Sequence, residues 1–102
     1  MAFRIRYRPQ AVAQVDAIAN YIAVENPVAA QRVIERIKNS IDRLAHFPYS
    51  SRRTEIDGIR VLAVVRFPYL VFYSVDEDAQ EIQILSVRHT SRNPDNPLDP
   101  DA

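Results

Sequence analysis

The 102-residue sequence has no cysteine and no tryptophan, one glycine and two histidines. Without thiols there is no disulfide framework, no thiolate nucleophile and no zinc–thiolate site. His46 and His89 are too few for a histidine-rich metal site and no carboxylates are suitably clustered, so neither a metal nor a cofactor is expected. Long apolar runs are missing as well. Nothing approaches the roughly 20 residues that a bilayer crossing needs, and Met1-Ala2-Phe3-Arg4 lacks the apolar stretch of a secretion signal. A cytoplasmic protein without membrane contact is expected.

What is present is enough for one core. The length is that of a single domain, and a hydrophobic share of 47% excludes a disordered chain. Basic and acidic residues balance at 13 each, but Asp95, Asp99 and Asp101 all follow the last arginine. Residues 1–92 therefore carry 13 basic residues against 10 acidic ones, a mild positive surplus. All the basic residues but Lys38 are arginine, whose planar fork matches carboxylate and phosphate. An anionic partner surface is the natural expectation, although most single arginines on a small domain merely keep it soluble.

Along the chain, Phe3-Arg4-Ile5-Arg6-Tyr7 alternates with period two and predicts a half-buried strand. Pro9 suits the first position of a helix, whereas Arg8 is a poor N-cap. Val12, Val15, Ile18, Ala19 and Ile22 then recur at helical spacing, predicting a first helix over 9–25. Asn26-Pro27 starts a second, with a stripe of Ala30, Val33, Ile34, Ile37, Ile41 and Leu44 and a stop at Phe47-Pro48. So short a connection predicts an antiparallel helical hairpin. Residues 49–57 read as a polar loop leading to Gly58. Three strands follow, over 59–66, 69–75 and 81–87, joined by connections short enough for an antiparallel meander. The middle one is apolar on both faces and suits a central position. In the last, Ile82 and Ile84 share one parity while Leu85 and Val87 share the other, which requires either burial on both sides or a bulge. The predicted fold is thus α+β, the hairpin covering one face of a sheet made from the first strand and the meander. Residues 1–92 form the domain, and 93–102 are an acidic, proline-rich tail.

Several segments, in this order, resemble the ParE/RelE superfamily of bacterial toxins, and its ParE branch above all. They are Asp16-Ala17-Ile18-Ala19-Asn20-Tyr21-Ile22, Asn26-Pro27-Val28-Ala29-Ala30 and Ile41-Asp42-Arg43-Leu44-Ala45-His46-Phe47-Pro48, then Gly58-Ile59-Arg60, Pro68-Tyr69-Leu70-Val71-Phe72-Tyr73 and Val87-Arg88-His89. The resemblance implies a toxin of a type II toxin–antitoxin system, of the plasmid-stabilisation kind, bound and silenced by a ParD-like antitoxin in a heteromeric complex. ParE-type members poison DNA gyrase, and RelE-type members cut messenger RNA in the ribosome. Fold alone does not choose between them.

The residues bear on that choice. Metal-independent RNA cleavage needs a base for the 2′-OH, an acid for the leaving oxygen and positive charge on the phosphate, converging on one face. The candidates are Arg52, Arg53, Arg60, Arg66, Arg88, His89 and Arg92. On a regular strand Arg60 and Arg66 emerge on one face, whereas Arg88 and His89 point to opposite faces. For catalysis the set would be His89, Arg60, Arg66 and Arg88. Lysine-based nucleases of the superfamily carry a lysine-rich set, yet Lys38 lies inside the second helix, and no tyrosine follows His89. The reading is therefore a gyrase-binding toxin without a catalytic site, with Arg88, His89 and Arg92 as target-binding residues. A ribosome-dependent endoribonuclease is the alternative, and a non-toxic binding module that keeps only the core is a third.

Overall fold

The computed structural model describes residues 2–91. Strand β1 (Arg4–Tyr7) leads into helix α1 (Pro9–Ala23) and helix α2 (Pro27–Asp42), which ends in a short 3-10 turn over Arg43–Ala45. Strands β2 (Arg52–Arg53), β3 (Arg60–Ala63), β4 (Tyr69–Asp76) and β5 (Glu81–His89) follow. The five strands form one sheet in the order β1-β5-β4-β3-β2, so β4 is central, as its two-sided apolar sequence predicts. β1 joins the sheet parallel to β5, and the other pairings are antiparallel.

Local chemistry explains both helix starts. Pro9 and Pro27 each occupy a first position, where a missing N–H costs nothing. Arg8 makes no side-chain cap, whereas Asn26 Oδ1 accepts the Ala29 N–H at 3.0 Å. The expected α2 stripe is buried at Ala30, Val33, Ile37 and Ile41, and Leu44 continues it into the 3-10 turn. On α1 the stripe is rotated. Ala11 is fully covered while Val12, one residue and about 100° on, is 45% exposed; Val15, Ile18 and Ile22 reach the core only partly.

The hairpin packs on one face of the sheet, where Val33, Ile37, Ile41 and Leu44 meet Val71, Tyr73, Ile82, Ile84 and Val87. The other face has its own smaller cluster, Ile59, Val61 and Phe72 with Leu70 and Leu85 against it, and no described helical residue joins it. We call these the helix face and the open face. β5 serves both through a bulge. Tyr73 pairs with Ile84 but Phe72 pairs with Ser86, which leaves Leu85 as the extra residue. Two residues past it, the Val87 N–H donates to Gln14 Oε1 at 2.7 Å and ties α1 to the strand.

Three sequence-based expectations are corrected. The strand expected over 59–66 is regular only from Arg60 to Ala63, and Arg66 lies in the β3–β4 turn with φ 74°. Arg60 and Arg66 consequently do not share a strand face. The expected loop 49–57 contains β2, which pairs Arg52 with Val61 and Arg53 with Arg60. Lastly, α1 stops at Ala23 and α2 at Asp42, each short of the expected end. The acidic tail and Arg92 lie outside the described residues.

Candidate partner-binding surface

β5 carries two candidate residues to its end and separates them. Arg88 pairs with Leu70 on the open face, and His89 pairs with Tyr69 on the helix face. Arg88 is only 5% exposed: its Nε donates to Ser86 Oγ at 2.9 Å, and its guanidinium lies 5.7 Å from the Phe72 ring centroid. The cation thus rests on the aromatic centre of the open-face cluster, an attraction that strengthens away from water. His89 is exposed. Its ring meets Tyr69 edge-on with centroids 5.5 Å apart, and Nδ1 accepts the Ser91 N–H at 3.1 Å. In the neutral ring that contact requires the proton on Nε2.

The remaining candidates lie elsewhere. Arg66 is exposed in its turn. Arg60 is fixed at the far side of the sheet, where Nη1 donates to the Ser51 carbonyl at 2.6 Å and the guanidinium stacks 4.9 Å above the centroid of Tyr49. Beneath them Tyr73, fully buried in mid-strand, donates its hydroxyl hydrogen to the Pro48 carbonyl at 2.9 Å and is also hydrogen-bonded to the Ser51 hydroxyl. Burial pushes the Tyr73 hydroxyl pKa above its ordinary value, against a smaller lowering by Ser51 and Arg60. The Tyr49 hydroxyl donates to Glu77, and that hydrogen bond, foremost among its influences, also raises its pKa. Sequence reading placed Arg53 and Arg60 among the charged candidates, but it did not anticipate that Tyr73 anchors their loop. Only a tyrosine at an inward position of an otherwise apolar strand signals it.

The described candidates therefore occupy three regions: the β5 end, the β3–β4 turn, and the loop around β2. Among the described residues no group of acidic residues and histidines is placed to hold a metal ion, and no helix is long and apolar enough to cross a membrane.

Comparison with known proteins agrees with this architecture. The chain is 37% identical over 86 residues to protein Y4kP of Sinorhizobium fredii, covering 84% of this chain and 86% of that one. It is 36% identical over 83 residues to toxin RelE2 of Caulobacter vibrioides, covering 81% and 90%. A chain from the chromosomal ParDE toxin–antitoxin system of P. aeruginosa superposes with a TM-score of 0.77 at 25% identity, covering 88% of this chain and 98% of that one. Residues 5–94 match the family described as the ParE toxin of the type II toxin–antitoxin system parDE, and the chain belongs to that family.

Proposed function

We propose that this toxin acts by binding DNA gyrase, and that a cognate ParD-like antitoxin silences it. The observation that carries the reading is the dispersal of the acid–base candidates. His89 and Arg88 lie on opposite faces, Arg66 sits in a turn, and Arg60 stands four residues of strand away, against the Ser51 carbonyl and the Tyr49 ring. A nuclease needs such groups around one phosphate, within hydrogen-bond reach of it. A binding surface needs only that they be displayed. Target contact is assigned to the β5 end, to Arg88 and His89, together with Arg92, which lies outside the described residues. The antitoxin is expected to supply an amphipathic segment that folds on docking and neutralises some of the arginines.

The test is purified toxin added separately to gyrase supercoiling and to ribosomes translating a defined message. Supercoiling should be inhibited while the message stays intact. Arg92→Glu should weaken inhibition strongly, because losing one partner of a buried charged pair costs roughly 2–5 kcal/mol, and His89→Gln should do less. Codon-specific cuts abolished by His89→Gln, with normal supercoiling, would replace this reading by the ribosome-dependent nuclease. Copurification of tagged toxin with the product of the neighbouring reading frame tests the antitoxin. Harmless, soluble toxin at high expression without that partner would refute its need.

A further inference from the structure

The β2–β3 ladder sets Arg53 directly opposite Arg60. Like charges in that relation repel and weaken a strand pair. No described carboxylate lies within ion-pair distance of either; the described ion pairs are those of Arg4 and Arg6 with Glu81. Arg60 is moreover held in place by the Ser51 carbonyl at 2.6 Å and the Tyr49 ring at 4.9 Å, so its other donors are pre-oriented. A cavity of about 260 Å³ adjoins both arginines, with Thr54, Ile56, Asp57 and Ile59 among its walls. Two guanidiniums beside a half-apolar hollow, one of them already immobilised, favour a bound oxyanion: it converts the repulsion into two attractions and loses little entropy in doing so.

The walls also select the source of that oxyanion. Asp57 lines the cavity, and Glu77 stands nearby, bonded to Tyr49. A phosphate backbone, with a charge at every step, meets that acidic surround, whereas one carboxylate enters between the arginines without it. Ile56 and Tyr49, 37% and 48% exposed, offer apolar contact to its neighbours. We propose that this cavity docks a single glutamate or aspartate side chain, flanked by apolar residues, on a partner polypeptide. The site is separate from the β5 end. Arg60 pairs with Tyr73 and His89 with Tyr69, and four residues of strand span about 13 Å. It therefore stands or falls independently of the gyrase reading.

The arginine Nε–H signals of the isotope-labelled full chain, titrated with acetyl-Leu-Glu-Leu-amide, its glutamine counterpart and a single-stranded hexadeoxynucleotide, test the proposal. The glutamyl peptide should shift the Arg53 and Arg60 signals saturably. Affinity should be about tenfold lower, a difference of roughly 1.4 kcal/mol, for the glutamine peptide and for the glutamyl peptide on Arg53→Gln. Equal affinity for the two peptides, tighter binding of the oligonucleotide, or no saturable shift would overturn it. Arg53→Glu supplies the missing carboxylate from within the ladder. It should raise Tm by about 2–4 °C and abolish the response to the peptide. An unchanged or lower Tm, or a retained response, counts against the site.

Discussion

Replacing Tyr73 by phenylalanine removes one oxygen from the fully buried centre of β4 and leaves the packing of the ring in place. That oxygen serves two partners at once, the Pro48 carbonyl at 2.9 Å and the Ser51 hydroxyl, both in the segment between α2 and β2. Each hydrogen bond is worth about 0.5–1.5 kcal/mol net. Pro48 and Ser51 are half-buried, so water recovers part of what they lose. The expected loss is about 1–2 kcal/mol, which lowers Tm by roughly 5–10 °C in a domain of this size. Ser51→Ala, which removes one of the two bonds, should cost about half as much. Because the two changes share a bond, the double variant should cost less than the sum of the singles. Urea denaturation of the four proteins measures this. Trypsin adds a local readout: freed from Tyr73, the segment should be cut faster after Arg52 and Arg53, which are exposed. A loss within error for Tyr73→Phe, or strict additivity with Ser51→Ala, would refute the anchoring role.

Ile37→Ala, at a fully buried position of α2 facing the sheet, should cost about 2–5 kcal/mol by urea denaturation, roughly twice the effect of Tyr73→Phe. Gly58→Ala should cost about 1–2 kcal/mol through backbone strain alone, since Gly58 has φ 83° and nothing lies within 4 Å of an added Cβ; calorimetry should show the loss without any change in the spectrum of the folded state. Tyr7, Tyr69 and Tyr73, mainly through burial, and Tyr49, mainly through Glu77, have hydroxyl pKa values raised above 10.0. A raised pKa favours the folded state fully below the unfolded value and loses that contribution as pH rises through the folded one. Stability should therefore be flat in this respect up to about pH 9 and fall above about pH 10, and denaturation at successive alkaline pH values should show a shallower fall in Tyr73→Phe.

How far the sequence carries follows from where each force acts. The helical hairpin, the Asn26 cap and the central place of β4 are legible because local spacing and a single residue's chemistry decide them. Ala11 in place of Val12 as the tight contact on α1 is not legible, since the two alternatives differ by a rotation that only the packed sheet selects. β2 escapes notice because two arginines carry no strand preference and pair only once β3 is in position. Arg66 defeats the parity argument by adopting a positive φ that non-glycine residues rarely take. The separation of Arg88 from His89 was readable from adjacency on a strand, whereas the burial of Arg88 over Phe72 needed the tertiary fold.

The extra residue at Leu85 acts as a phase shifter for everything after it. In an unbroken strand that begins with Ile82 and Ile84 inward, Ser86 and Arg88 would also point into the core beneath the helices, while Val87 and His89 would face outward. One supernumerary residue exchanges the two sets, so that Val87 seals the core and the cation is delivered to the opposite side of the sheet. Deleting Leu85 therefore amounts to a frameshift in facing rather than the loss of one leucine: every side chain downstream would trade its environment, and an arginine would fall where the hydrophobic interior closes. Which surface of this toxin carries charge at its C-terminal strand is set less by the residues that bear the charge than by the spacing that precedes them.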